Sequence, residues 1–202
     1  MIKERPILFS APMVRALLDG SKTQTRRALR IQPPDWHLNV FAVGREHYFH
    51  EGSAAHPGKC WPAYAKGVSC PYGQPGDRLW VREAWRTVAE ADTLPPRDLT
   101  PAHRIWYEAD ALSQPGAGRY RPPMFMPRWA SRGLYEIISV RVERLQDISE
   151  ADCIAEGCTA KHTTDADWSA RQAYAVLWES INGGGSWTAN PWVWAIEFKV
   201  IK

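Results

Sequence analysis

Apolar residues recur at two spacings along this chain, and the change between them outlines the secondary structure. Val140 and Val142 alternate with Arg141 and Glu143, and this period of two predicts a long strand over residues 134–145. Turn residues followed by aromatic and aliphatic runs predict further strands. These strands are placed at residues 6–9, 74–85, 103–109 and 191–201.

Capping residues, together with apolar residues three or four positions apart, predict three short helices. Ser10 is placed to cap a helix over residues 11–19, and Gly20 provides its end. A second helix is predicted over residues 149–156, and the third and best defined over residues 165–181. About five strands and three short helices, with strands towards both ends of the chain, indicate an α+β protein.

Residues 32–76 interrupt this regular pattern. They contain six prolines and many glycines, which indicates an irregular insertion rather than a second domain. We therefore expect one domain over residues 1–202. Because loops or short helices separate the strands, a mixed β-barrel with short flanking helices is favoured over a doubly wound parallel sheet.

Positive charge is concentrated near the N-terminus. Residues 1–31 hold seven cationic and two acidic residues, a local net charge of +5, whereas the whole chain carries +3. A polyanion such as RNA would therefore meet this part of the chain first. No apolar run is long enough to span a membrane, and the first residues lack the apolar stretch of a signal peptide. We expect a cytoplasmic protein with reduced cysteines and no membrane partner.

Candidate chemistry begins in the stretch DGSKTQTRR, residues 19–27. Thr25 is a candidate nucleophile, and Lys22 lies three residues before it. A hydroxyl is inert near neutral pH unless a base takes its proton, and a lysine whose pKa is lowered by burial can do so. The alternative is a solvated basic turn whose threonines bond to the backbone, and spacing alone favours that alternative. Glu156, at the predicted end of the second helix, carries little information by itself.

Arginines alternate with aromatic residues at residues 119–121 and 126–132, and Arg128 with Trp129 is the clearest pair. Such a pattern suits RNA or single-stranded DNA, because aromatic rings stack on bases and guanidinium groups bind phosphates. The alternative is an ordinary loop in which Trp129 packs inward. The residue types alone do not decide between the two.

A zinc site is not expected, although the insertion holds several histidines and cysteines. The candidates are His47, His50, His56, Cys60 and Cys70. Their gaps are irregular, and they include neither the C-x₂-C nor the H-x₃-H spacing that structural zinc sites use. The sequence also lacks a phosphate-binding glycine loop and a dinucleotide-binding fingerprint. We therefore predict no metal and no organic cofactor.

The stretch LLDGSKTQTRR resembles the G-x-K-T-x-T-x-R signature of the ASCH superfamily, a group of PUA-like β-barrel proteins associated with RNA. Five residues match it in register: Gly20, Lys22, Thr23, Thr25 and Arg27. The segments CPYGQPGDRLWVREAW, MPRWASR and NPWVWAIEFK resemble an extended form found in many phage and prophage proteins. The resemblance covers most of the chain and is weakest over residues 35–68 and 158–168. It implies a PUA-like mixed β-barrel.

One branch of this superfamily comprises small bacterial amidohydrolases that remove the acetyl group from N4-acetylcytidine. By position, the resemblance implies Lys22 as the base, Thr25 as the nucleophile or the group that positions water, and Glu156 as the residue that orients the lysine or shuttles a proton. Substrate binding is assigned to Thr23, Arg26, Arg27, Arg128 and Trp129.

We therefore expect a hydrolase acting on an acylated exocyclic amine of a modified pyrimidine nucleoside, with such a nucleoside or RNA as its partner. Two alternatives stay open. One is a non-catalytic RNA- or DNA-binding adaptor, and the other is a metal-independent ribonuclease. Free nucleosides are substrates only under the first hypothesis, and salt-sensitive polymer binding is expected mainly under the other two.

Overall fold

A five-stranded mixed sheet organises the α+β fold. The computed structural model of the protein describes residues 2–33, 38–44, 46–51, 67–110, 115–158 and 168–201. The strands are β1 (Glu4–Leu8), β2 (Gln24–Ala28), β3 (Leu38–Val43), β4 (Glu46–Glu51), β5 (Val68–Ser69), β6 (Arg78–Arg82), β7 (Trp85–Thr87), β8 (Ile105–Tyr107), β9 (Leu134–Arg144) and β10 (Trp192–Val200). The helices are α1 (Ala11–Leu18), α2 (Glu150–Ala155) and α3 (Ala170–Asn182).

The order of the main sheet is β1-β6-β9-β10-β2. Strand β10, which lies between β9 and β2, is buried on both faces, and this explains its nearly continuous apolar sequence. Successive side chains of a strand point to opposite faces. Trp194 and Ile196 therefore enter the main core with Ile7 and Ile137, whereas Val193 packs on the other face of the sheet. There α2 and α3 cover the sheet and enclose a second core.

Backbone pairing does not close the main sheet into a barrel. Among the described residues no ladder joins the edge strands β1 and β2. A side chain spans the seam instead, since Arg27 Nη2 in β2 donates to the carbonyl oxygen of Leu8 in β1 at 2.6 Å. The predicted α+β class is confirmed, whereas the strand pairs do not form the closed ladder of a barrel.

The insertion is more regular than its composition indicated. Strands β3 and β4 form an antiparallel hairpin, and β5 pairs with β4 to complete a small sheet. Gly44 has a φ of 61° at the hairpin turn, a value that suits glycine. The prolines that indicated irregular chain lie largely outside this hairpin. Residues 52–66 of the insertion lie outside the described part of the chain.

The helix predictions hold for α1 and α2 but misplace the start of α3. Helix α3 begins at Ala170 rather than at residue 165. Its start is set by a capping box, in which Ser169 Oγ accepts from the Gln172 backbone N–H while the Gln172 side chain accepts from the Ser169 N–H. No helix among the described residues has the length and apolar character needed to cross a membrane.

Candidate functional site

Two short backbone contacts bring the start of β2 against the end of α2. Lys22 and Glu156 form an isolated antiparallel bridge, and the Thr23 N–H donates to the Ala155 carbonyl at 2.8 Å. Gly157 makes this approach possible. Its φ is 84°, and a Cβ there would lie 3.0 Å from the Ala16 Cβ and 3.3 Å from the Lys22 Cβ. The sharp turn after α2 therefore needs glycine.

Lys22 and Glu156 form a buried ion pair. Lys22 Nζ lies 2.5 Å from Glu156 Oε2 and also donates to the Glu156 carbonyl oxygen at 3.0 Å. The two residues are only 1% and 3% exposed. They are 134 positions apart in sequence, and the fold brings their side chains into contact.

Burial lowers the pKa of Lys22 below its usual 10.5, although Glu156 acts in the opposite direction. The nearby charge of Arg27 adds to the lowering. The ring of Phe9, whose centroid is 5.7 Å from Nζ, forms part of the apolar surroundings. Burial and a nearby carboxylate shift a lysine pKa in opposite directions, and the sequence alone does not decide which effect is larger. In the fold burial prevails, and this is the direction that a lysine base requires.

The second oxygen of Glu156 has two more donors. Arg26 Nη1 lies 3.4 Å from Glu156 Oε1, and the Tyr174 hydroxyl lies 3.5 Å from the same atom. Burial, reinforced by the charge of Glu156, raises the pKa of Tyr174 well above its usual value. Tyr174 therefore keeps its proton and acts as a donor. Tyr174 is one of the buried residues of α3, and no motif in the sequence marks it as part of a site.

Arg26 ties the ion pair to two further carboxylates. Its Nε donates to Glu143 Oε1 at 2.8 Å, and its Nη2 lies 2.6 Å from that oxygen and 3.2 Å from Asp152 Oδ2. Nη1 donates to Gln24 Oε1 at 2.5 Å. The guanidinium is thus occupied by protein groups, and it orients the carboxylates around Glu156. Its assigned contact with substrate stays a prediction.

Arg141 extends the network towards solvent. It donates to Glu143 Oε2 at 2.8 Å and to Asp152 Oδ1 at 3.0 Å. Partial burial disfavours charge on Asp152, but Arg26, hydrogen bonds from neighbouring side chains and Arg141 outweigh it and lower the Asp152 pKa. Three cations and three carboxylates thus stabilise one another. Sequence reasoning missed the carboxylates of Glu143 and Asp152, because neither belongs to a recognisable motif.

Glu156 lines two cavities. A cleft of about 600 Å³ lies between α1 and α3, and Glu156, Gly157 and Cys158 form part of its wall. A cavity of about 50 Å³ beside it is lined by Thr25 and Tyr174 as well as Glu156. The cleft has the size of a small-molecule site. Lys22 lines neither cavity, so Glu156 is the member of the ion pair that a ligand in the cleft meets.

The other predicted binding residues lie in different places. Thr23 is exposed beside the bridge, and Arg27 is half-buried and lines the smaller cavity. Arg128 lines neither cavity and pairs with Glu4 at 3.0 Å. Trp129 packs against a small core beneath β7 and β8, as the alternative interpretation of its loop expected.

Metal ligands do not converge within the part of the chain that the structure describes, where no group of three or more His, Cys, Asp or Glu side chains could hold an ion. His47 is buried with its ring against Trp194, and burial raises the pKa of the Cys70 thiol to about 11. His56 and Cys60 lie outside the described residues, and nothing is described of the His50 side chain. The absence of a metal stays a prediction.

Comparison of the chain with protein-family models, with curated proteins and with solved structures gives no match. The resemblance to the ASCH superfamily therefore rests on the sequence motifs and stays a prediction, and the functional argument rests on the geometry around Glu156.

Proposed function

We propose that the protein is a hydrolase with a PUA-like architecture that removes an acyl group from the exocyclic amine of a modified pyrimidine nucleoside. N4-acetylcytidine is the model substrate. The observation that carries this proposal is the buried Lys22–Glu156 pair beside a ligand-sized cleft, with the pKa of Lys22 lowered. The signature resemblance supports the same residues.

Thr25 supplies the nucleophile or positions it. Its hydroxyl attacks the amide carbonyl carbon, or orients the water that does. The proton released passes through Glu156 to Lys22, which accepts it in the neutral form that burial favours. Collapse of the tetrahedral intermediate breaks the C–N bond, and the pair returns the proton to the leaving amine. If Thr25 is the nucleophile, water then hydrolyses its acyl ester by the same proton route. The products are the free nucleoside and the carboxylic acid.

Glu156 suits the role of shuttle because it faces both the ligand and the buried lysine. Oε2 contacts Lys22, and Oε1 is held by Arg26 and Tyr174. Holding both oxygens fixes the carboxylate and reduces the rearrangement needed in the reaction. A solvated surface glutamate would have to be ordered anew in each turnover.

The burial of Lys22 favours the hydrolase over an adaptor at this site. An adaptor needs Lys22 to stay charged and to reach the anion, whereas Lys22 has a lowered pKa and lines neither cavity. A ribonuclease remains the second reaction to test, because a lysine and a carboxylate also suit attack by a 2′-hydroxyl.

The test is Lys22→Arg, assayed with a panel of acylated nucleosides and a labelled RNA by mass spectrometry. Arginine keeps the charge but does not act as a base near neutral pH, so hydrolysis should be lost. Thr25→Ala should also abolish hydrolysis. Lys199→Arg is the matched control, since Lys199 is exposed and contacts only Glu136 among the ion pairs described. Full activity of both site variants would refute the mechanism, and RNA cleavage without nucleoside hydrolysis would favour the ribonuclease.

A further inference from the structure

The outer face of β6 presents cations around a tryptophan. Leu79 and Val81 point into the main core, so the alternating residues Arg78, Trp80 and Arg82 lie on the opposite face of the sheet. These residues lie beside β1, which pairs with β6 in parallel. The loop before β9 adds another arginine to this face.

Trp80 is covered by two guanidinium groups. The Cζ atoms of Arg82 and Arg128 lie 4.6 and 5.7 Å from its ring, and Trp80 is only 7% exposed. Stacking on an aromatic ring holds a guanidinium in place while its N–H edge remains free to bind an anion. These two side chains are therefore already ordered in the folded protein, and binding an anion requires little further loss of conformational entropy.

Carboxylates neutralise only part of this charge. Glu4 lies 3.8 Å from Arg78 and 3.0 Å from Arg128. Arg82 has no carboxylate partner among the described residues, and its buried Nε has no hydrogen-bond partner there. Arg82 is the register partner of Leu8, whose carbonyl binds Arg27 from the other edge of the sheet. Arg27 likewise has a buried Nε without a hydrogen-bond partner in the described part of the chain.

We propose that the arginine face, defined as Arg78, Arg82 and Arg128 around Trp80, binds the phosphodiester backbone of a single-stranded polynucleotide, which continues to Arg27 at the seam between β1 and β2. Half-buried guanidinium groups without a counter-ion are unfavourable, and a bound phosphate would satisfy them bidentately.

The spacing of the cations favours a polymer over a single anion. Arg82 lies four positions after Arg78 along the strand, which places their Cα atoms about 13 Å apart. Such groups meet successive phosphates rather than converge on one. Protein partners fit less well, because protein interfaces need an apolar core, and Leu8, 42% exposed, is the largest exposed apolar side chain of β1.

The same geometry makes backbone contact the main mode of binding. Since guanidinium groups cover the Trp80 ring, the ring is not open for base stacking. Binding should therefore depend on phosphate charge and be nearly independent of sequence and sugar. Arg27 also lines the cavity shared by Thr25 and Glu156, so a bound strand would pass the candidate site. The binding proposal does not require hydrolysis.

The experiment measures the anisotropy of fluorescent 20-nucleotide oligouridine and oligothymidine at 50 to 200 mM KCl. For Arg82→Gln/Arg128→Gln we expect about tenfold weaker binding at 100 mM salt, and a log–log salt slope about 1.4 shallower, since each phosphate contact to a single strand contributes about 0.7. Arg82→Lys/Arg128→Lys should keep most of the slope, which separates loss of charge from loss of fold. The RNA and DNA strands should bind within about threefold of each other.

The matched control is Arg97→Gln/Arg104→Gln, which removes two exposed arginines outside this face, one of them stacked on Trp106. It should leave the affinity and the salt slope unchanged. An unchanged slope in the glutamine double variant would overturn the proposal. So would a preference of more than tenfold for RNA, or binding of phosphatidylserine vesicles without binding of oligonucleotides. Each of these readouts is independent of nucleoside hydrolysis.

Discussion

Glu156→Gln isolates the electrostatic core of the candidate site. The substitution keeps the side-chain shape and removes one charge, and it leaves the Lys22 ammonium buried without the carboxylate that contacts it. Removing one partner of a buried pair typically costs about 3–5 kcal/mol. The variant can avoid burying an unpaired charge, because Lys22 can release its proton on folding.

The free energy needed to deprotonate Lys22 sets a limit on the loss of stability. Deprotonating a lysine with an ordinary pKa of 10.5 costs about 1.36 kcal/mol for each pH unit below that value, or about 4.8 kcal/mol at pH 7. At pH 9 the same calculation gives about 2 kcal/mol. The contribution of Lys22 to the destabilisation therefore cannot exceed these values, and its upper limit falls with pH.

The sign of the pH dependence follows from proton binding. The folded pKa of Lys22 lies below its unfolded value, so between the two values the unfolded state binds more protons and the free energy of unfolding rises with pH. Without Glu156 the folded pKa falls further. The variant should therefore begin to gain stability, at up to about 1.4 kcal/mol per pH unit, at a lower pH than the parent, which gains only above its own folded pKa. The difference in free energy of unfolding between the parent and the variant should therefore become smaller as the pH rises.

Urea unfolding at pH 7, 8 and 9, followed by tryptophan fluorescence, measures this gap. Glu143→Gln is the control, because Glu143 pairs with Arg26 and Arg141 but has no described contact with Lys22. Its loss of stability should be the same at all three pH values. A Glu156→Gln gap that does not change between pH 7 and pH 9 would show that the carboxylate does not alter the protonation of folded Lys22 in this range, and would refute the reasoning.

Two further predictions concern the turn and the network behind the ion pair. Gly157→Ala should lower the free energy of unfolding by about 1–3 kcal/mol, because alanine disfavours a φ of 84° and its Cβ would crowd Ala16. Gly184→Ala is the control, since the space around Gly184 is open, and it should change the free energy of unfolding by about 0.5 kcal/mol or less. Equal effects of the two substitutions in urea unfolding would contradict this prediction. Asp152 has a lowered folded pKa, so its charged form stabilises the fold above pH 3.8, and that contribution is lost as pH falls through the folded value. Asp152→Asn should therefore remove part of the acid-induced loss seen in circular dichroism, and an unchanged acid transition would contradict the assignment.

Local signals in the sequence were sufficient where neighbours along the chain decide the structure. Pro12 near the start of α1 and Gly20 after its end mark that helix, and Ser149 caps α2 as expected. The start of α3 was misplaced although Ser169 and Gln172 carry a local capping signal, because the apolar pattern was extended beyond it.

For the candidate site too, some features were determined by the sequence and others by the tertiary structure. The sequence by itself supplied Lys22, Thr25 and Glu156, through a resemblance to a known signature, and it defined the competition between burial and the carboxylate at Lys22. Only the tertiary structure decided that competition, because desolvation depends on α2, β2 and the neighbouring core meeting around one atom. The roles of Arg26 and Tyr174 depend on the same packing. Hydrogen bonds and desolvation act over a few ångströms in space, and residues brought that close by folding can be more than a hundred positions apart in the chain.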